Sequence, residues 1–159
     1  VALSKHIAEA YNNGNKPIIC GNGGSICDAL HFAEELTGRY RKNRRALPAI
    51  AIADPGHLTC VANDFGYDDV FSRGVEAHGK SGDVFIGMST SGNSENVVRA
   101  IKKANSIGAY TIGLLGNDGG KLKEIVNLPI VIPSKDTARI QEVHITIGHI
   151  ICEIIEEDW

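Results

Sequence analysis

Largely apolar runs alternate with helical patterns along most of the chain. The apolar runs cover residues 17–20, 48–53, 84–88, 109–115 and 128–132. Runs that stay apolar, rather than alternating with polar residues, are typical of strands in a parallel sheet covered on both faces. Helical segments are expected near residues 26–38, 57–77, 93–107, 121–126 and 136–156. The sequence therefore predicts an α/β fold, a three-layer sandwich in which helices flank a five-stranded, doubly wound parallel sheet.

The two ends of the chain carry helical patterns of their own. The first, from Leu3 to Tyr11, has no capping residue before it and stops at residues 12–15. We therefore expect an N-terminal helical segment to be truncated, and we expect residues 1–159 to form a single domain. Polar residues interrupt the isoleucine-rich stretch 145–155, which predicts a buried or subunit-contacting helix rather than a membrane span.

Composition and charge narrow the classes of partner. A formal net charge of −3 gives no electrostatic footprint for nucleic acid, and the one basic run, residues 39–45, is expected to be a solvated connection. The sequence shows no signal peptide pattern and no apolar stretch of membrane-spanning length, which predicts a cytoplasmic protein with no membrane partner. Because no CxxC pair is present, we expect buried, reduced thiols at Cys20, Cys27, Cys60 and Cys152.

Two loops rich in small residues follow two of the predicted strands. They are residues 21–25, Gly-Asn-Gly-Gly-Ser, and residues 89–94, Ser-Thr-Ser-Gly-Asn-Ser. Each is expected to lead from a strand into the N-terminus of a helix, where unpaired N–H groups and the helix dipole favour an anion. Glycine allows close approach of the backbone, and hydroxyl groups donate hydrogen bonds without adding charge. The pair predicts a site for a phosphorylated small molecule.

A ligand-free explanation fits the first loop better than the second. The first loop lacks the GxGxxG spacing and the P-loop lysine, so it does not indicate a nucleotide, and a tight turn would also use glycine. The second loop carries four hydroxyl residues in six positions, more than one helix cap requires. This excess favours phosphate binding for the pair.

The helix predicted after the first loop places His31 and Glu35 four residues apart, on one face. An imidazole and a carboxylate at this spacing can hold a divalent metal, or Glu35 can act as a general base. An ordinary surface His–Glu pair would show the same spacing. The last predicted helix adds Gln141 and His149 among isoleucines, where His149 could also be a core histidine bonded to a backbone carbonyl.

These motifs, in this order, resemble the sedoheptulose 7-phosphate isomerases, or phosphoheptose isomerases, of the sugar isomerase (SIS) domain superfamily. The resemblance spans almost the whole chain and rests on residues 20–25, 31–40, 62–66, 89–94 and 139–142 together with His149. It implies a doubly wound α/β SIS domain. It also implies a homotetramer with active sites at subunit interfaces, and the first step of heptose synthesis for lipopolysaccharide.

The resemblance also implies the residues of the site. Glu35 is the implied base and His149 the implied acid of an enediol proton transfer, the route by which a carbonyl moves from the second to the first carbon of a sugar. One zinc ion per subunit is implied at His31, Glu35, Gln141 and His149, with its catalytic or structural role left open. The substrate-binding positions implied by the resemblance are Asn22, Gly23, Gly24, Ser25, Glu35, Asn63, Asp64, Ser89, Thr90, Ser91, Ser94 and Gln141.

Two alternatives come from other classes of protein. A related SIS family binds the bacterial replication initiator and lacks counterparts of Glu35 and His149, whereas this chain has both residues. A non-catalytic adaptor of that kind has no chemical need for them. A sugar-phosphate-sensing regulatory domain is favoured less, because such domains are usually fused to a DNA-binding domain and this sequence shows none.

Overall fold

A computed structural model describes residues 2–158 and contains one five-stranded sheet. The strands are β1 (Pro17–Gly21), β2 (Ile50–Ala51), β3 (Val84–Ser89), β4 (Tyr110–Gly116) and β5 (Leu128–Ile132). The helices are α1 (Ala2–Asn12), α2 (Gly24–Thr37), α3 (Pro55–Asp64), α4 (Val70–His78), α5 (Glu95–Ser106), α6 (Gly120–Lys123) and α7 (Thr137–Asp158). A 3₁₀ helix, Tyr67–Asp69, precedes α4.

All neighbouring strands are parallel, in the order β2-β1-β3-β4-β5, as the sequence predicts. The chain runs from β1 outward to β2 and then returns to the other side of β1 with β3. The strand order therefore reverses between β1 and β3, whose carboxyl ends are adjacent, with Gly21 paired to Met88. In open α/β sheets, ligands bind in the crevice at such a switch point.

Successive strand residues alternate between two buried layers. Ile19 and Ile86 pack on one face, with α1, α2 and α7, whereas Ile18 and Phe85 pack on the other, with α3, α4 and α5. Because both faces are covered, β1 and β3 are buried along their full length, which is why they are apolar throughout. Among the described residues, no helix is long and apolar enough to cross a membrane.

Several local predictions need correction. The apolar run 48–53 contributes only the two-residue β2, and the predicted segment 57–77 is split into two helices where Gly66 takes a φ of 98°. A φ in this range is disfavoured for residues other than glycine and ends the helical path.

The predicted environments of the cysteines and of the basic run are also partly wrong. All four cysteines are free, and Cys20 and Cys152 are buried as predicted, but Cys27 and Cys60 are exposed. The basic run is not simply solvated, because the side chain of Arg44 is 1% exposed and forms an ion pair with Glu156.

Candidate functional site

The two small-residue loops meet at the switch point and line one cleft of about 290 Å³. The first loop opens α2 and the second precedes α5. At Gly24 the backbone approaches α7 so closely that an added Cβ would lie 2.5 Å from Oε1 of Gln141. A side chain at this position would therefore displace the Gln141 amide from the cleft. Its lining consists of Asn22, Gly23, Gly24, Ser25, Met88, Ser89, Thr90, Ser94, Thr137 and Gln141.

Hydroxyl groups in the second loop form a compact polar cluster. Oγ of the buried Ser89 lies 3.1 Å from Oγ of Ser94 and 3.4 Å from Oγ of Ser91. The backbone N–H of Gly92 donates to Ser89 Oγ at 3.1 Å, and the N–H of Asn93 donates to Ser91 Oγ at 3.1 Å. These contacts fix the loop while leaving hydroxyl groups facing the cleft, which suits an anion.

The cleft contains most of the substrate-binding positions expected from the sequence, but not all of them. Ser91 lines a neighbouring cleft of about 540 Å³ with Asn93 and Lys135. Asn63 and Asp64 lie exposed at the end of α3, where Nδ2 of Asn63 donates to Oδ1 of Asp64 at 2.8 Å, and neither lines the smaller cleft. Thr137 and Met88 line that cleft although sequence reasoning did not select them.

A pair of amides joins the first loop to the first turn of α5. Oδ1 of the buried Asn96 accepts from the backbone N–H of Val97 at 2.9 Å, which fixes the orientation of that amide. Asn22 and Asn96 then exchange reciprocal hydrogen bonds of 2.8 and 2.9 Å, and the hydroxyl of Tyr67 donates to Oδ1 of Asn22 at 2.8 Å. The Asn22 oxygen thus accepts from two donors, while one N–H of the same amide has no acceptor among the described residues. Asn22 is prepared as a donor to the ligand, not as an acceptor.

His31, Glu35 and His149 come together although 118 residues separate the two histidines. Nε2 of His31 lies 3.3 Å from Oε1 of Glu35 and 3.5 Å from Nε2 of His149. One ligand atom from each of the three residues lies within 4.8 Å of the others. Two imidazole nitrogens and a carboxylate oxygen are a donor set typical of a catalytic zinc site, so these residues fit a metal ion.

The structure decides between the two interpretations of His149. His149 is half-buried beside His31 and does not occupy the core. The core histidine is instead His144, which is 0% exposed and has Nε2 3.2 Å from the carbonyl oxygen of Leu115. Burial lowers the pKa of His144, and the hydrogen bond to Leu115 opposes this effect without cancelling it. His144 is therefore a neutral structural group at neutral pH.

Asp28 is a further acidic group near this cluster, one turn before His31 on α2. Burial raises the pKa of its carboxyl group, while the nearby His31 acts in the opposite direction. Sequence reasoning missed Asp28, although its spacing of three residues from His31 places it on the same helix face.

The cleft and the histidine cluster lie along the same two helices. Gly24 and His31 are seven residues apart on α2, and Gln141 and His149 are eight apart on α7, which corresponds to about 10 and 12 Å of helix. Because α2 and α7 pack against each other, the hydroxyl-lined cleft and the acid–base cluster are separate parts of one elongated site.

Comparisons with known proteins agree with this geometry. The SIS domain profile matches residues 1–116. Phosphoheptose isomerase from Fusobacterium nucleatum is 56% identical over 154 residues, covering 97% of this chain and 79% of that protein. The Vibrio cholerae phosphoheptose isomerase is 58% identical over 158 residues, covering 99% of this chain and 83% of that protein. The structure of a phosphoheptose isomerase from Neisseria gonorrhoeae matches with a TM-score of 0.92 at 42% identity, covering 98% of this chain and 83% of that one.

Proposed function

Because the chain belongs to the phosphoheptose isomerase family of SIS-domain proteins, we propose that it converts sedoheptulose 7-phosphate into D-glycero-D-manno-heptose 7-phosphate. The observation that carries this proposal is the separation of the hydroxyl-lined cleft from the acid–base cluster by about two helical turns. A 7-phosphate has its anion at one end of the carbon chain and its reacting carbonyl at the other. The product supplies heptose for lipopolysaccharide.

Proton transfer in the proposed reaction uses Glu35 and His149. The Glu35 carboxylate removes a proton from C1 of the open-chain ketose, and the C1–H electrons form the C1–C2 double bond of an enediol while the C2 oxygen takes a proton from His149. In the second half, the C1 hydroxyl returns a proton to His149 as the C1 aldehyde forms, and C2 takes the proton held by Glu35. Both groups thus end as they began.

We assign substrate positioning to the two loops. Ser89, Thr90, Ser91 and Ser94 hold the phosphate, with the backbone of Gly23 and Gly24 at the N-terminus of α2. Asn22, Ser25 and Gln141 contact the sugar from the cleft that they line. Asn63 and Asp64 are exposed in the single chain and do not line the cleft, and we propose that assembly with further copies brings them to the substrate.

A zinc ion is proposed at His31, Glu35, Gln141 and His149. Ligand atoms of His31, Glu35 and His149 lie within 4.8 Å of one another, whereas the amide of Gln141 lies against Gly24 at the N-terminus of α2, so its coordination requires the side chain to turn towards the cluster. Bound zinc would supply Lewis acidity that polarises a carbonyl and stabilises an enediolate. Because an atom that binds zinc cannot carry a proton at the same time, Glu35 and His149 transfer protons only from atoms that the ion does not occupy.

We further propose a homotetramer with active sites at subunit interfaces. Val143 and Ile150 are exposed apolar residues seven apart on α7, and Leu30 is exposed on the neighbouring α2. Exposed apolar residues on adjacent helices are typical of a subunit contact. The whole chain is proposed to be one SIS domain, because residues 117–158, beyond the profile match, supply β5 and α7 to the same fold. Four free thiols suit the cytoplasm as its location.

The test is isomerisation of sedoheptulose 7-phosphate by the purified chain, with and without a chelator and with added zinc. We expect formation of the aldose phosphate, and loss of turnover on chelation that zinc restores. Turnover that is unaffected by chelation would contradict the metal assignment alone. No turnover by a folded tetramer would contradict the isomerase proposal. The comparisons do not favour the replication-initiator adaptor.

A further inference from the structure

One carboxylate fixes the segment between α2 and β2 onto α7. We call residues 39–45 the connecting strap. The carboxylate is that of Glu156, which is 4% exposed. It accepts hydrogen bonds of 2.8, 2.9 and 3.0 Å from three consecutive backbone N–H groups, those of Tyr40, Arg41 and Lys42. Three such donors on one carboxylate hold the backbone of the strap in a single position on the helix.

Arg44 fixes the other end of the connecting strap to α2. Its guanidinium donates to the carbonyl oxygens of Glu35 at 2.7 Å and of Leu36 at 2.9 Å, both in the last turn of α2, where carbonyl groups lack partners within the helix. Its Nε lies 3.3 Å from Oε1 of Glu156. The connecting strap therefore joins the end of α2 that carries Glu35 to the face of α7 that carries His149.

The side chain of Tyr40 lies on the ring of His149. The two ring centroids are 5.4 Å apart and the ring planes are inclined by 22°, a stacked arrangement. The rings of His149 and His31 meet edge to face, with centroids 4.9 Å apart and an angle of 76°. The Arg41 guanidinium carbon is 5.0 Å from the Tyr40 ring centroid, and Arg41 pairs with Glu153 of α7. The imidazole thus contacts two rings, one of which belongs to the connecting strap.

We propose that Tyr40 is a positioning residue that sets the ring orientation of His149. The χ2 torsion of a histidine is broad and roughly two-fold, so the helix alone does not decide where Nε2 points. A flat aromatic face against one side of the imidazole restricts this rotation. The inference rests on the proposed function for the catalytic role of His149, but the orientation itself does not depend on turnover.

Glu156 acts through Tyr40. Residues 149, 153 and 156 follow the spacing i, i+4, i+7 and lie along one face of α7, so the carboxylate that holds the connecting strap is in line with the imidazole. Neutralising this carboxylate weakens its hydrogen bonds to the backbone of the connecting strap and so releases Tyr40. It changes no group that is proposed to touch the substrate.

Substitution at Tyr40 separates positioning from general stability. Tyr40→Leu removes the aromatic face, whereas Tyr40→Phe retains it. We expect kcat to fall about tenfold in Tyr40→Leu with KM within about twofold of wild type, and Tyr40→Phe to restore kcat, because outer-shell orientation of a site residue typically has this magnitude. Glu156→Gln should lower kcat in the same direction. Tyr110→Leu is the matched control, because Tyr110 also stacks on a histidine, His6, outside the site.

Two measurements do not require turnover. Zinc affinity, measured by competition with a chromophoric chelator, should fall about tenfold in Tyr40→Leu and remain at the wild-type value in Tyr40→Phe and Tyr110→Leu. In NMR spectra, the NOE between the ring protons of His149 and His31, whose Nε2 atoms lie 3.5 Å apart, should weaken in Tyr40→Leu and be retained in Tyr40→Phe.

The proposed function and the positioning role fail in different ways. A wild-type chain without isomerase activity refutes the proposed function, and the NOE between the His149 and His31 rings then decides the positioning role alone. An unchanged NOE in Tyr40→Leu overturns the positioning role. The positioning role is also overturned if kcat falls as far in Tyr40→Phe or Tyr110→Leu as it does in Tyr40→Leu.

Discussion

At the scale of single residues, two histidines five positions apart on α7 take opposite roles. The side chain of His144 is fully buried against the end of β4, whereas His149 faces His31 and Tyr40 at the edge of α2. Five residues correspond to about 500° around a helix, so the two side chains point in directions about 140° apart. Burial keeps one imidazole neutral, and partial exposure leaves the other within reach of a ligand.

The buried His144 should make stability depend on pH. Because burial lowers its folded-state pKa, the unfolded chain binds a proton that the folded chain does not as the pH falls below about 6.5, the ordinary value for histidine. The contribution of His144 is therefore complete above that pH and is lost progressively below it. His144→Gln keeps a donor for the Leu115 carbonyl and has no proton to bind. We expect its melting temperature to fall less than that of wild type between pH 6.5 and 5.5.

Thermal unfolding of both proteins at several pH values checks this expectation. His78→Gln provides a control, because His78 lies at the end of α4, away from the core contact of His144. Identical pH slopes for wild type and His144→Gln would contradict the assignment of His144 as a neutral buried group.

At the scale of elements, the adjacent carboxyl ends of β1 and β3 bring the two small-residue loops together at the proposed ligand site. The sequence alone indicated both loops, because each combines a strand-like run with an excess of glycine or hydroxyl residues. It could not indicate Asn96, whose contact with Asn22 exists only after β1 and β3 become neighbours. Likewise, His149 could not be distinguished from a core histidine, because the rotation of α7 is set by packing against α2 and the sheet.

Simultaneous replacement of Ser89 and Ser91 by alanine should weaken substrate binding more than it slows the chemical step. The two hydroxyls lie 3.4 Å apart at the start of the second loop, about two helical turns from the acid–base cluster. Each lost hydrogen bond to a charged phosphate is worth about 1.5–3 kcal/mol, so KM should rise at least tenfold. Steady-state kinetics give the two parameters separately.

The control for this pair is Ser106→Ala, which removes a hydroxyl at the C-terminal end of α5, where it donates to the carbonyl of Lys103. Its KM should remain at the wild-type value. A double variant whose KM is unchanged would rule out the second loop as the phosphate site.

At the scale of the whole molecule, one sheet accounts for both the order of the motifs and the shape of the site. Alternation of apolar runs and helical patterns was sufficient to predict the parallel sheet, since strands buried on both faces have no polar side to show. The same pattern could not predict the boundaries near β2 and α3. The short length of β2 depends on tertiary packing, and the break at Gly66 depends on backbone torsion.

Assembly should depend on the exposed apolar residues of α7. Ile150 is 50% exposed in the single chain, and burying a carboxylate at a subunit contact is costly. We expect Ile150→Glu to shift sedimentation from a tetramer towards smaller species and to lower turnover in parallel. Lys102→Glu on α5, on the opposite face of the sheet, is the control. A tetramer that persists in Ile150→Glu would show that this part of α7 is not a subunit contact.

Glu35 is proposed to move the proton in the isomerisation of a ketose 7-phosphate, so the decisive measurement is kcat of Glu35→Gln on sedoheptulose 7-phosphate. The change removes the base with almost no change in size, so the fold and sugar-phosphate binding should be retained. General base catalysis contributes a factor of about 10² to 10⁴ to the rate, and we expect kcat to fall by at least the lower of these factors. Glu142→Gln, exposed on α7, should have wild-type turnover. Near-normal turnover by Glu35→Gln would show that Glu35 is not the base.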